Sequence, residues 1–348
     1  MPAISWDTGT TYDFIISLLV LHNAATFGLR PSWAAGVRQR ISSPRRDFLE
    51  RMYSFAGSGL EWVCTLPKPK DASTALRVAA DLEPADRFEK LTLPVEISTG
   101  AREVLHTIAD HKKATAADRD YLRINFIQRD QHLSPAALEN LVKAWSNLEA
   151  SGEQLLSALQ EYYAAFFAEE ETHIRLALET GLTHARELAD RLQVAALVEE
   201  LSHGVRIADL DTVRSLILAP SYWTSPLVFH LRPKPGQVLI VFGIRPTVES
   251  VVPGANAPDL LITALKSLAD PTRLRILRYL SGESLAPAEL ARRLRLRPPT
   301  VTHHLQALRL AGLVQVTINE NNERRYAARL ETLNELNIAL REFLTKQN

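Results

Sequence analysis

The chain has 348 residues, of which 46% are hydrophobic and 23% charged. Those are globular proportions, and they exclude a disordered chain, a collagen and a bare coiled coil. At about 150 residues per domain, the length points to two or three domains with enough core to fold without disulfide or metal staples.

Cys64 is the only cysteine, so neither a disulfide framework nor a multi-cysteine zinc site can form within one chain. A reducing, cytosolic setting fits. Met1 to Thr10 lacks the basic segment and apolar run of a signal peptide. The longest apolar stretch, Phe14 to Leu21, is interrupted by Ser17 and far too short to span a bilayer. The expectation is a soluble cytoplasmic protein with no membrane partner.

Lysine plus arginine and aspartate plus glutamate both number 40, so whole-chain charge predicts no partner. The balance is uneven, however. From Asp259 onward there are 14 basic and 9 acidic residues, a surplus of five, and the remainder is acidic by the same amount. A basic C-terminal piece on a mildly acidic body points to a polyanion at that end.

In chain order, residues 11–64 read as helical, with Arg38, Arg40, Arg45 and Arg46 as basic punctuation. Pro67, Pro69 and Asp71 mark a loop, and residues 73–90 and 100–112 read as short helices. Ser134 then offers an N-cap and Pro135 a first helical position. From there to about Ala177 the pattern predicts two long helices, broken near Ser151-Gly152. Beyond Thr212 the texture changes. Val213 to Leu218, Leu227 to Leu231 and Val238 to Ile244 read as strands, and Pro233-Lys234-Pro235-Gly236 as a turn joining the last two antiparallel. Tyr222 and Trp223 either line a pocket or form a core edge, with the core edge favoured. Residues 245–258, with Pro246, Pro253, Gly254 and Pro258, are the linker candidate.

The last ninety residues carry the strongest pattern. A short amphipathic helix spans Leu260 to Leu268. Asp270 and Pro271 start another, which stops at Ser281-Gly282. Pro287 opens the next, with Glu289 three residues after Ala286. Pro298-Pro299 opens a third, with Val301, Leu305 and Leu308 on its apolar stripe, ending at Ala311-Gly312. Strands at Leu313–Ile318 and Arg324–Ala328 follow, and a last helix runs from Leu330 to Lys346. That order is a winged helix-turn-helix. The fold expected is therefore mainly α with small β: an N-terminal α-rich region, residues 1–250, whose helices are followed by a short antiparallel strand segment at about 213–244, and a winged domain at 256–348.

The third helix turns Pro299, Thr300, Thr302, His303 and Gln306 away from its stripe. Short hydroxyl and amide side chains suit base edges in a major groove. Arg292, Arg293, Arg295 and Arg297 precede it, Arg309 follows, and Arg324 and Arg325 sit on the hairpin, placing guanidiniums beside phosphates on both sides of a groove. His304, about 100° round the helix from His303, reads as a partly buried packing residue.

Leu265 through Leu277, Thr300-Val301-Thr302-His303-His304-Leu305 and Ala311-Gly312-Leu313-Val314, in that order and spacing, resemble the ArsR/SmtB transcriptional regulators over about a quarter of the chain. Trp6 to Arg40 is more faintly similar to the additional N-terminal region of larger members. The resemblance implies a homodimeric repressor on double-stranded DNA with a pseudo-palindromic operator. Its dimer contact would lie on the first and last helices of the winged domain, here Leu261, Leu265, Leu333, Leu336, Leu340, Phe343 and Leu344. The apolar stripe of 333–344 suits that contact independently. Residues 287–296 hold no cysteine and 330–348 no histidine, so the family's metal sites lack their ligands. The expected effector is non-metal, a small molecule or protein acting at residues 1–250. Arg295 and Arg297 stand where the family commonly has a turn glycine and a capping serine.

Glu103/His106, Glu170/His173 and Glu200/His203 each place a carboxylate and an imidazole on one helix face, the spacing of di-iron bundles. Solvated acidic faces give the same spacing and are favoured. Cys64 reads as a small buried apolar residue rather than a redox switch. Without a phosphate loop, nucleophile elbow or His-Glu-x-x-His motif, no enzyme activity and no cofactor are expected. Two other classes stand beside the regulator: an interaction adaptor built on a winged-helix dimer, and a metal-binding N-terminal domain fused to a regulator.

Overall fold

The computed structural model describes residues 2–27, 31–94, 97–128, 131–225, 228–244, 259–319 and 323–345. The linker candidate at 245–258 lies outside them. In the body the elements run β1 (Ala3–Trp6), α1 (Thr10–His22), α2 (Pro31–Gln39), α3 (Ser43–Tyr53), α4 (Leu60–Thr65), α5 (Ala72–Asp81), α6 (Pro84–Thr92), α7 (Thr99–His111) and α8 (Ala116–Asn125). A minimal hairpin, β2 (Ile127–Gln128) and β3 (Gln131–His132), precedes α9 (Pro135–Trp145) and α10 (Leu148–Tyr162). A π-helical turn, Tyr163–Phe167, joins α10 to α11 (Ala168–Ala189). Then come α12 (Val194–Leu201), β4 (Val205–Ile207), β5 (Ser215–Ser221), β6 (Val228–Leu231) and β7 (Gln237–Gly243). The winged unit is α13 (Asp259–Leu268), α14 (Pro271–Leu280), α15 (Pro287–Leu294), α16 (Pro298–Leu310), β8 (Val314–Ile318), β9 (Arg324–Ala328) and α17 (Leu330–Thr345). Among the described residues no helix is long and apolar enough to cross a membrane.

Helix α1 is buried from Thr10 to Leu21. An all-round apolar helix belongs inside a core, and α2, α3, α4, α5, α11 and strand β5 pack around this one. Phe14 packs on Phe167 and Tyr162, at ring centroid separations of 5.1 and 5.8 Å. The one acid in the first turn of α1, Asp13, is fully buried; its carboxylate accepts from the Ser221 hydroxyl at 2.7 Å and the Trp223 amide at 2.8 Å. Those bonds tie the helix to the end of β5. Trp223 is buried and stacked on Trp33, with centroids 5.1 Å apart, so the core-edge reading of the aromatic pair describes it.

Two expectations are corrected. Ser151-Gly152 is not a break: α10 runs straight through it, and the chain turns earlier, at Ser146-Asn147. Gly152 is a packing residue, because a Cβ there would overlap the Pro84 carbonyl oxygen at the start of α6. The strand segment is also larger and mostly parallel. Its order is β1-β5-β7-β6; only β6 and β7 pair antiparallel, across the turn in which Gly236 takes φ +73°. β1 comes from the chain start, a long-range pairing that local pattern does not announce.

The winged unit follows its local signals. Asp270 Oδ1 accepts from the Arg273 amide at 3.0 Å and caps α14. The Glu289 carboxylate takes the Ala286 amide at 2.8 Å at the start of α15. Ile276, Leu280, Leu290, Val301, Leu305, Leu308 and Val316 form the core. That core is not closed by the winged unit alone. β4 of the body pairs in parallel with β8, making a three-stranded sheet of order β4-β8-β9, and Val205 is buried within the winged core.

Candidate nucleic-acid interface

Helix α16 buries Val301, Leu305 and Leu308 and thereby turns its other side outward. Pro299, Thr300, Thr302 and His303 are exposed, and Gln306 is half-buried. The Thr302 hydroxyl donates to the Pro298 carbonyl at 3.1 Å, one turn back. His304 is half-buried with its imidazole held below the ordinary histidine range; burial is the main cause, Arg273 and His303 add to it, and Asp270 opposes.

The turn before α16 has an unusual backbone for its residues. Arg295 closes α15 in the left-handed region at φ +56°. Side chains other than glycine lose roughly 1–2 kcal/mol there. Arg297 occupies the N-cap of α16, and no side chain caps that end. A glycine at 295 and a serine at 297 would satisfy both geometries, so two arginines stand where the backbone favours other residues.

The seven arginines divide by their partners. Arg292, Arg295 and Arg297 are exposed and make no hydrogen bond or ion pair with a described residue. Arg293 pairs with Glu283 and lies over the Tyr279 ring at 5.8 Å. Arg325 donates to the Ser284 carbonyl at 2.7 Å and sits 3.3 Å from the Glu289 carboxylate. Arg324 is exposed on β9. Arg309 differs from the rest, being half-buried on the flank of the apolar stripe near Tyr326. Its Nη2 is shut from water without an acceptor among the described residues, and burial pushes its pKa down to about 10.

The residues assigned to a dimer contact also divide. Leu261 is buried within the chain, and Leu333 and Leu336 pack against the winged core. Leu340 is half-buried. Leu265, Phe343 and Leu344 are exposed, joined on α17 by Ile338, which the sequence reading passed over.

Elsewhere, the three Glu-x-x-His pairs lie on separate helices, α7, α11 and the end of α12. His106 is 3.3 Å from Glu89 instead. Among the described residues no group of three or more His, Cys, Asp and Glu side chains is placed to hold a metal ion. Cys64 is half-buried against the Tyr12 hydroxyl at 3.5 Å, and burial raises its thiol pKa.

A family model described as a helix-turn-helix domain matches residues 268–317. The match begins at the end of α13 and runs through α14, α15 and α16 into β8. The C-terminal unit thus contains a helix-turn-helix domain, and the two strands after its helices are consistent with a winged form; such a domain suggests a DNA-binding regulator. No curated protein matches the chain.

Proposed function

We propose that the protein is a cytoplasmic, homodimeric, sequence-specific transcriptional repressor of the ArsR/SmtB type. Its N-terminal body alters operator binding in response to a non-metal effector, and it has no catalytic role. In this reading α16 of each protomer enters the major groove of one half-site. Pro299, Thr300, Thr302, His303 and Gln306 meet base edges. Arg292, Arg293, Arg295, Arg297, Arg324 and Arg325 meet phosphates, and Arg309 reaches one only if its burial against the wing is relieved.

The observation that carries the reading is the turn from Arg295 to Arg297. Backbone strain and an uncapped helix end are kept where a long cation is presented to solvent beside the exposed face of α16. Strain at such a position is a pointer to function. The exposed Leu265, Phe343 and Leu344 support a second copy as the partner that covers them.

The test is binding of the purified protein to the DNA upstream of its own gene and to scrambled DNA, across a salt series. A large preference for the upstream fragment with a steep salt dependence is expected. Weak binding, equal on both fragments, would overturn the reading and favour the adaptor.

A further inference from the structure

β1, β5 and β7 run parallel, so their carboxyl ends share one edge of the sheet. In open sheets of this kind ligands settle in the crevice outside that edge. Here Asp7-Thr8-Gly9 carries the chain from β1 into α1, and a cavity of about 620 Å³ opens beside the turn. Small-molecule sites commonly measure about 300–1,000 Å³. Its walls are Thr8 to Thr10, Lys68 to Asp71, and one face of α11 that includes Arg175, Leu178 and Leu182.

The turn is built tightly. A Cβ on Gly9 would overlap the Lys70 carbonyl oxygen. The buried Lys70 ammonium donates to Asp7 at 2.6 Å and to the Val63 and Cys64 carbonyls at 3.0 Å. Glu171, also buried, accepts from the Thr10 hydroxyl, the Ala72 amide at 3.1 Å and the Tyr163 hydroxyl at 3.3 Å. Asp71 caps α5 through the Thr74 amide at 2.8 Å. These four charged groups are committed to the fold.

The side chains of Lys68, Arg175 and Glu179 are left on the cavity wall without a hydrogen bond or ion pair to a described residue. Arg175 is close enough to Asp71 to help lower its carboxyl pKa. Lys68 and Arg175, together with Glu179 and the helix-capping Asp71, thus line the cavity beside Leu178, Leu182 and Pro69. An apolar wall with two cations held in no ion pair with a described residue suits an apolar molecule ending in a carboxylate. Helix α11 continues from the cavity to Ala185, which packs with Leu197, Val198 and Leu201 of α12. α12 leads into β4, whose Val205 is buried in the winged core.

We propose that this cavity is the effector site, taking a small apolar carboxylate, and that α11, α12 and β4 carry its occupancy to the wing. The proposal rests on the regulator reading above and supplies the class of effector that reading leaves open.

Calorimetry without DNA, using octanoate and octylamine as probes, tests the site. Octanoate is expected to bind once per chain, about tenfold or more tighter than octylamine. Lys68→Glu combined with Arg175→Glu, both at exposed positions, should invert that preference, and Leu182→Trp should fill the cavity and abolish binding. No saturable binding of octanoate by the unaltered protein up to about 10 mM, or binding unchanged in the double variant, would overturn the site. With DNA present, octanoate should change the affinity for the upstream fragment by about fivefold or more. Val205→Asp should remove that change and keep octanoate binding. Octanoate binding that leaves DNA affinity unaltered would overturn the transmission. Octanoate binding by a protein that binds no DNA would overturn the regulator reading and leave the cavity standing.

Discussion

Val205 of the N-terminal body lies directly opposite Val316 of the wing in a parallel ladder, and both side chains are buried in the winged core. The wing hairpin is therefore held on one edge by its own partner β9 and on the other by a strand from more than a hundred residues earlier. An edge strand left bare invites pairing with another chain, and β4 removes that edge from β8. Through it the body and the DNA-binding unit share one hydrophobic cluster.

Val205→Ala is accordingly expected to cost roughly 1–3 kcal/mol of stability. Val205→Asp should go further and separate melting of the winged unit from melting of the body, with faster amide exchange over 314–318. Arg206, exposed and paired with Glu199 at 2.8 and 2.9 Å, is the control, and Arg206→Ala should leave both measurements unchanged. A single transition for Val205→Asp, coincident with that of the unaltered protein, would show that β4 does not hold the wing.

Arg295 gives a prediction of opposite sign. Glycine takes φ +56° without the Cβ penalty, so Arg295→Gly is expected to stabilise the protein by about 0.5–1 kcal/mol after glycine's entropic loss. Arg297→Ser should add a cap worth about 1 kcal/mol. Both variants should bind all DNA more weakly. Thermal melts beside binding isotherms check this, and a fall in melting temperature for Arg295→Gly would assign the side chain a packing role instead.

Such local signals were the legible part of the sequence. Asp270-Pro271 and Ser134-Pro135 each start a helix where the caps predict, and Pro298-Pro299 starts one by proline at the first helical position alone, because such signals act within one turn of chain. The face of α16 was legible too, since the 3.6-residue period places Val301, Leu305 and Leu308 together. Gly152 misled because a glycine that lets two helices approach looks, in sequence, like one that ends a helix. Val205-Arg206-Ile207 is too short to show alternation, and both it and β1 acquire their meaning from partners far along the chain. The cavity was illegible for the same reason: Thr8, Lys68 and Arg175 meet only after the fold is formed.

Acid should weaken the fold through histidines whose imidazoles are held below the ordinary range. Burial lowers the His22 imidazole and Arg38 adds to this, against the Leu18 carbonyl at 2.8 Å and Glu50; the His203 and His304 imidazoles are shifted the same way. A folded pKa below the unfolded value of about 6.5 means that the unfolded chain binds more protons between the two. The neutral rings' contribution is complete above that pH and is lost as pH falls through the window below it. Denaturant midpoints should therefore drop between about pH 7 and 5, and His22→Gln should flatten part of the slope. A slope unchanged by His22→Gln would place the effect in other groups.

Base reading and phosphate contact separate by their salt dependence. Thr302→Ala or His303→Ala should cost about 1–3 kcal/mol of discrimination between the operator and a mismatched site. Arg297→Ala should weaken binding to every sequence and reduce the salt slope by about 1. Arg293 and Arg325 already hold acidic partners that a phosphate must displace, so removing either should cost less than removing Arg292 or Arg297. Equal losses on operator and random DNA for His303→Ala would deny it a base contact.

The dimer prediction depends on which residues of the apolar stripe the fold leaves open. Leu333 and Leu336 pack inward, whereas Leu344 is 71%, Leu265 40% and Phe343 37% exposed; Ile338, 58% exposed, lies on the other side of α17. Phe343→Asp combined with Leu344→Asp should halve the mass measured by light scattering while the winged unit still melts cooperatively. Operator affinity should fall by about tenfold or more, because two linked half-site contacts become independent. Leu333→Asp should instead destabilise the winged core itself, since it places a carboxylate against the buried apolar cluster. An unaltered protein that is monomeric at micromolar concentration would leave that apolar face without its proposed partner and would overturn the dimeric reading of operator binding.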